Sequence, residues 1–171
     1  CYVDEKDGYA LVIKAGSSIS RFGDLIIDSN SDWIEKNIYD EYLQRAEELN
    51  ENRNIVKNGD VLLASTGDGT LGKCCVYDKK FPAIADGHVT IIRVDKKVID
   101  PYYLADYLRC GFGASQINRL YSGSTGLIEL TPEQVDVILI DLMLDKEGVD
   151  IQKKKSKSIR NIEKKYQKQI E

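Results

Sequence analysis

The chain has 171 residues with 42% hydrophobic and 30% charged side chains, which fits one folded domain with a short appendage. Its net charge of −4 is unevenly spread, because residues 1–145 carry fifteen basic and twenty-four acidic side chains whereas residues 146–171 carry nine and four. The acidic globular part argues against non-specific nucleic-acid binding, which depends on phosphate neutralisation, but it leaves room for a local basic surface.

The first third of the chain predicts two strands and a helix. Residues 9–14 are typical of a buried strand, and 24–28 of a second short strand before a turn. Trp33 and Ile34 are expected to anchor the loop that follows. Apolar residues then recur at three- and four-residue spacing and predict an amphipathic helix over about 37–51: Ile38, Tyr42, Ala46 and Leu49.

The central part predicts a β region that begins near Asp60. Cys74 and Cys75 fall in one of its strands and should point to opposite faces. The four cysteines, which include Cys1 and Cys110, form no C-x-x-C pair, and His88 is the only histidine, so a zinc site is not expected. We interpret the cysteines as buried, reduced thiols. The predicted strands cover 61–65, 73–77 and 89–94, with a tight turn over 66–72.

Two helices are predicted after the β region. Pro101, directly after Asp100, is typical of a first helical turn. Gly111 and Gly113 are expected to end this helix, and 114–120 predicts a short second one.

The C-terminal part predicts a last strand and a long helix. Residues 127–130 should be extended, and Thr131 with Gln134 matches a capping box. A continuous apolar run over 137–142 predicts a buried strand. The Lys-rich segment 150–171 predicts a helix with one narrow apolar seam, which needs a partner: Ile159, Ile162, Tyr166 and Ile170. Its lysine run at 153–155 is either a solvated face or a phosphate contact.

A Gly-rich turn over 67–72 matches the G-x-G-x-x-G pattern. A dinucleotide site also needs a helix that begins inside the motif, and the β-like run over 73–77 leaves no room for it. We therefore interpret the motif as a hairpin whose glycines supply positive φ. Its polar residues either contact bases and phosphates or only satisfy the turn backbone: Ser65, Thr66, Asp68, Thr70 and Lys73.

A second loop rich in glycine and hydroxyl groups covers 121–126. It can follow a phosphate backbone closely, or it is an ordinary connection between a helix and a strand. His88 lies at the entry to a strand and is either a structural hydrogen-bonding residue or a DNA contact. The candidate DNA-binding residues of this group are His88, Arg119, Tyr121, Ser122, Ser124 and Thr125.

Several short segments, in this order and spacing, resemble the target-recognition domain of type I restriction-modification specificity subunits. They are also similar to the equivalent C-terminal domain of N6-adenine DNA methyltransferases. The resemblance covers roughly 8–142, and the segments that carry it are 59–62, 69–72, 88–93, 100–104, 123–125 and Leu130 with 137–140, while 9–14 resembles the opening strand of such a domain. The chain departs from the family at 143–147, where a Pro-Pro-Leu-x-Glu-Gln segment commonly leads into the long helix.

The resemblance implies an α+β fold. A mixed, strongly curved β-sheet with short helices would form a target-recognition domain over 1–145, and a long helix over 146–171 would pack on a partner helix. The implied function is sequence-specific binding of double-stranded DNA, which directs N6-adenine methylation and restriction to a site. Such a domain has no catalysis of its own, and the chain contains no Asn/Asp-Pro-Pro-Tyr/Phe motif.

The expected partners and location follow from the same resemblance. S-adenosylmethionine would be held by a methyltransferase subunit or domain of the parent protein, not by this domain. No apolar run is near the roughly 18 residues of a membrane span and no signal peptide is visible, so we expect a cytoplasmic protein without a membrane partner. Because its only Met is Met143, we expect a fragment of a longer protein. The alternative function is a protein-interaction module that acts through the C-terminal helix.

Overall fold

The protein has a mixed α+β fold with a long C-terminal helix, as the sequence predicts. The computed structural model describes residues 2–49, 54–124, 127–142 and 146–170. The strands are β1 (Ala10–Ile13), β2 (Trp33–Ile34), β3 (Ile55–Val56), β4 (Val61–Ala64), β5 (Cys74–Val76), β6 (Ala83–Ala85), β7 (Val89–Ile92), β8 (Ser122–Ser124) and β9 (Leu127–Glu129). The helices are α1 (Lys36–Glu48), α2 (Pro101–Arg109), α3 (Gly111–Leu120), α4 (Pro132–Asp136) and α5 (Lys146–Ile170), besides a 3-10 turn at Glu5–Asp7.

The prediction of one strongly curved sheet is wrong. The described strands form three separate open sheets, with the strand orders β2-β1-β6-β3, β5-β4-β7 and β8-β9. The strands have only two to four residues each, and twist that accumulates along so short a strand cannot curve a sheet strongly. β1 and β6 are parallel, and the other pairs in the three sheets are antiparallel.

The first two sheets pack on each other and are covered by helices on their outer faces. α1 covers the outer face of the four-stranded sheet, where Val12 and Ile84 lie in the apolar cluster. The inner faces meet in a second cluster that contains Cys75, and α2 with α3 covers a third cluster that contains Cys74. The two adjacent cysteines therefore point to opposite faces, as the alternation along a strand predicts. Burial raises the pKa of both thiols, that of Cys75 to about 12.

The long helix α5 lies against α2 and contacts it through polar side chains. The Gln152 side chain accepts a hydrogen bond from Asp100 N at 2.8 Å and donates one to Val98 O at 3.2 Å. One turn further, the buried Ser156 hydroxyl donates to the Asp106 carboxylate on α2. Of the apolar seam predicted from the sequence, Ile162 and Tyr166 are exposed, whereas Ile159 is half-buried and lines a groove between α5, α2 and α3.

A buried ion-pair network completes this contact. Asp106 is fully buried, and its carboxylate accepts hydrogen bonds from Arg109 at 2.7 and 2.9 Å and from Arg160 Nε at 3.1 Å. Arg109 also donates two hydrogen bonds to Glu163, at 2.6 and 2.7 Å. Burial lowers the pKa of Arg109, but its hydrogen bonds to Glu163 and Asp106 outweigh this and leave the pKa above its ordinary value.

Two of the predicted strands are wrong. Over 24–28, only Leu25 takes part in β pairing, as an isolated bridge to Ile19, because this segment turns around Gly23. The segment 137–142 has no strand partner, and its apolar run is not core throughout, since Leu139 is 72% exposed. Two carbonyl groups of this segment accept hydrogen bonds from tyrosine hydroxyls and from the Gln116 side chain instead.

Four short strands were not predicted, namely β2, β3, β6 and β8, because segments of two or three residues carry no readable periodicity. The predicted helix over 37–51 is present as α1, and its predicted residues 50–51 lie outside the described part of the chain. Within the described ranges, no helix combines the length and the apolar character that crossing a membrane requires.

Candidate nucleic-acid interface

The first glycine-rich turn lies beside the strands of the hairpin formed by the second glycine-rich segment. The turn over 66–72 follows β4, and the hairpin β8–β9 follows α3. An isolated antiparallel bridge joins Thr66 to Glu129, and Gly67 N donates a hydrogen bond to Ile128 O at 3.1 Å. The hairpin therefore lies at the C-terminal end of β4, so a single ligand can contact both the 66–72 turn and the hairpin strands.

A continuous row of polar side chains crosses this junction. The strand register places Ser122 opposite Glu129, and the bridge places Glu129 opposite Thr66, so their side chains project from the same face. The Thr66 hydroxyl lies 2.8 Å from His88 Nδ1 at one end of the row. At the other end, Gln134 donates a hydrogen bond to the Ser122 hydroxyl at 2.9 Å. The row thus joins four chain segments and offers several donors and acceptors to solvent.

His88 is held in place by its own backbone. Its N–H donates to the Asp86 carboxylate at 2.9 Å, and its carbonyl accepts hydrogen bonds from the Ser65 N–H and hydroxyl. When Nδ1 accepts from Thr66, the exposed ring carries its proton on Nε2 and presents a donor. Ser65 is buried and its carbonyl accepts from Leu130 N at 2.8 Å, so its role is to join the turn to the hairpin.

The turn over 66–72 is built by glycines, as the sequence predicts. Gly67, Gly69 and Gly72 all have positive φ, between 77° and 90°, and β5 follows directly without a helix. The Thr70 hydroxyl donates to the Thr66 carbonyl at 2.5 Å, which ties the turn together. Thr70 therefore satisfies the backbone, whereas Asp68 is exposed at the tip.

Two cationic side chains flank the turns. Lys73 Nζ lies 3.4 Å from the Gly16 carbonyl. Arg119, in the last turn of α3, is exposed and forms no ion pair within the described residues. Beside the 66–72 turn lies a cleft of about 320 Å³, whose polar lining includes Lys73, Arg21 and Asn118. The cations are available for an anionic ligand, but Asp68, Asp86 and Glu129 lie on or beside the same face.

The remaining candidates of the second loop belong to the hairpin. Tyr121 precedes β8 and is 38% exposed. Ser122 and Ser124 lie at alternate positions of β8, so both project from the face of the polar row. Thr125 lies outside the described residues.

Two members of the row are absent from the site residues predicted from the sequence, Gln134 and Glu129. Glu129 is exposed, and it is the residue through which the hairpin and the turn meet. The sequence does contain a hairpin signal, because the short glycine-containing segment from Gly123 to Gly126 directly precedes the predicted extended segment 127–130. Pairing these segments would have placed Glu129 opposite Ser122.

No protein-family model matches this chain, and a comparison with curated proteins found no match. The resemblance to target-recognition domains therefore stays an expectation from short segments of sequence. The function has to be argued from the geometry and chemistry of the site itself.

Proposed function

We propose that this chain is a sequence-specific DNA-binding domain of a restriction-modification system, which directs N6-adenine methylation to its site. The observation that carries the proposal is the polar row across the 66–72 turn and the strands of the hairpin. Thr66, His88 and Glu129 present hydrogen-bonding groups of different kinds on one exposed face. A two-stranded ribbon fits the major groove, which is about 12 Å wide, so the hairpin β8–β9 can enter it.

Each member of the row has a chemistry that suits a base edge. The Glu129 carboxylate accepts from the amino group of cytosine, and hydroxyl groups such as those of Ser122 and Ser124 donate or accept. Lys73 and Arg119 reach phosphate oxygens or guanine at the border of the row. This distribution separates the groups that specify a sequence from those that position the duplex.

The domain itself reads DNA and does not transform it. A methyltransferase subunit or domain of the parent protein would hold S-adenosylmethionine and receive the flipped adenine. This division of labour, and a cytoplasmic location, follow from the resemblance to target-recognition domains. The row supports it, because its residues are spread along an exposed surface rather than gathered around a reacting atom.

The proposal is tested by selecting duplexes with a randomised central segment on the purified chain, followed by binding measurements on the sequence obtained. Glu129→Gln keeps the shape of the side chain but replaces a carboxylate, which suits cytosine, by an amide, which suits adenine. We expect it to cost about 1–3 kcal/mol of binding free energy on the selected sequence and to change the preference at one base pair.

The matched control for this test is Glu41→Gln, which makes the same change in charge on the outer helix α1. It should leave both affinity and preference unchanged. Selection that yields no preferred sequence would contradict the proposal. So would an equal effect of the two substitutions, because the carboxylate would then act only through the overall charge.

A second candidate function, binding of a partner helix through α5, is favoured by an apolar surface on that helix. A groove of about 520 Å³ between α2, α3 and α5 is lined mainly by apolar atoms, with Tyr107, Phe112 and Ile159 among its residues. Further along α5, Ile162 is 67% and Tyr166 60% exposed. The occupant implied by the resemblance is an amphipathic helix of the methyltransferase part or of a second recognition domain.

This candidate is tested by Ile162→Asp in the presence of the methyltransferase subunit or domain. We expect the substitution to reduce co-sedimentation at least tenfold, because it places a charge in an apolar helix contact. Asn161→Asp, at the neighbouring exposed position, adds the same charge and should have little effect. Equal co-sedimentation of both variants with the unaltered chain would exclude this surface.

A further inference from the structure

A second polar cleft lies along α5. It has a volume of about 390 Å³ and is formed by α5 and the start of α2. Four of its lining residues are cationic, Lys153, Lys157, Arg160 and Lys164, whereas Asp100 is the only acidic one among them. The cleft therefore concentrates positive charge on a protein whose residues 1–145 are strongly acidic.

The four cations form a stripe because of their spacing. They stand at intervals of four, three and four residues, so they share one face of the helix. From Lys153 to Lys164 the stripe is about 16 Å long at a rise of 1.5 Å per residue. At about 3.4 Å per nucleotide along one strand, this length matches four to five phosphates of a duplex.

The stripe is presented rigidly, because the helix that bears it cannot rotate freely. Arg160 donates to the buried Asp106 carboxylate, and its guanidinium lies 4.7 Å from the centre of the Tyr102 ring. Ser156, also in the cleft lining, donates to the same carboxylate. The lysines of the stripe therefore need no reordering of the helix to contact a ligand.

The lysines of the stripe are little neutralised by the protein itself. Lys153 lies 3.8 Å from Asp150, and both side chains are more than half exposed, so this pair is weak. Lys157 and Lys164 form no ion pair within the described ranges. At the base of the cleft, Asp100 uses one carboxylate oxygen to accept a hydrogen bond from Tyr103 N, so it is committed to capping α2.

The stripe and the candidate interface are connected through Arg109. A Cβ atom added at Gly23 would lie 2.8 Å from Arg109 Nε and 3.3 Å from Arg160 Nη2, so both guanidinium groups reach the same loop. Arg109 also lines the cleft that contains Lys73 and Arg21. Arg109 itself is buried and paired with Asp106 and Glu163, so it joins the two clefts structurally without adding accessible positive charge.

We propose that the α5 cleft binds the phosphate backbone of double-stranded DNA beside the sequence that the hairpin reads. This inference rests on the proposed function and names where its phosphate contacts come from. It resolves the conflict between an acidic recognition domain and a polyanionic ligand, since the neutralising charge is carried by α5. Contacts to the backbone hold the duplex without specifying its sequence.

The test compares two triple variants of the full chain. Lys153, Lys157 and Lys164 are replaced by alanine in one, and Lys154, Lys155 and Lys165 in the other. Both lose three positive charges from the same helix, but the control lysines stand about a quarter turn or more from the centre of the stripe. Thermal unfolding should show equal stability, because none of these six side chains lies in the Asp106 network.

Affinity is measured on the selected duplex and on a random-sequence duplex between 50 and 200 mM salt. Three lost phosphate contacts should reduce the slope of log affinity against log salt by about 2 to 3. When salt rises from 50 to 200 mM, the factor by which affinity falls should be roughly 40 times larger for the unaltered chain than for the stripe variant. The ratio of selected to random affinity should stay unchanged, and the control variant should keep the original slope.

The outcomes separate this inference from the proposed function. Specific binding with equal slopes in both triple variants overturns the cleft and leaves the hairpin proposal intact. Salt-dependent binding that only the stripe variant weakens, without any preferred sequence, supports the cleft and overturns the proposed function. If the unaltered chain binds neither duplex, both are wrong.

Discussion

Replacing Asp106 with leucine is expected to lower the free energy of unfolding by about 3–5 kcal/mol. The Asp106 carboxylate is fully buried and accepts hydrogen bonds from Arg109, Arg160 and Ser156. Leucine has a similar volume, so the cost arises from charges and donors left without a partner rather than from a cavity. Denaturant unfolding followed by circular dichroism measures the loss.

The control for this prediction removes the opposite charge as well. Asp106→Leu combined with Arg109→Met also removes the more buried of the two guanidinium groups that Asp106 neutralises, so part of the lost stability should return. An ion-pair role would be contradicted if the double variant lost more free energy of unfolding than the two single variants lose together. A single variant that loses under about 1 kcal/mol would show that the network contributes little.

The same network decides which face of α5 is exposed. Because the polar side chains at 152, 156, 160 and 163 pack on α2 or its cap, Ile162 and Tyr166 of the apolar seam remain exposed. A rotated helix would take Ser156 and Arg160 away from Asp106 and Glu163 away from Arg109, so these buried charges favour the observed orientation of α5. The predicted helix from 150 onwards was visible in the sequence, but its orientation depended on Asp106 and Arg109, which are distant in sequence.

Elements with strong local signals were predictable. The capping box at Thr131 is present with both of its hydrogen bonds, and Asp100 caps α2 ahead of Pro101. Both motifs depend only on residues within one helical turn. The strands β4 and β7 were found for a similar reason, since their β-branched and apolar residues form unbroken runs.

The parts that were missed depend on distant pairing. β2 and β3 are two residues long and exist because β1 and β6 supply partners. The run over 137–142 is as apolar as a buried strand, yet it has no strand partner, so composition alone gave a wrong prediction. For the candidate site, the turn glycines were predictable from sequence, but the bridge that brings Glu129 to Thr66 was not.

Gly113 shows how one residue type supports two interpretations. From the sequence, it was expected to end the first of the two helices after the β region. In the structure it lies inside α3, where a Cβ atom would be 2.1 Å from the Tyr107 carbonyl oxygen on α2. The glycine therefore allows the two helices to approach closely, and the break between them occurs at Cys110.

Gly113→Ala is consequently expected to destabilise the protein by about 3 kcal/mol, although alanine favours a helix interior over glycine by up to about 1 kcal/mol. A contact of 2.1 Å to a backbone oxygen cannot be relieved by a side-chain rotation, so α3 must move away from α2. Because α3 ends at the hairpin and bears Arg119, affinity for the selected duplex should fall at the same time.

The matched control is Gly16→Ala, where an added Cβ has no neighbour within 4 Å and φ is not positive. It should change the free energy of unfolding by less than about 0.5 kcal/mol. Thermal unfolding and duplex binding on both variants separate the two effects. If Gly113→Ala proves as stable as the control, helix propensity outweighs the contact, and the close approach of α2 and α3 does not determine where the hairpin lies.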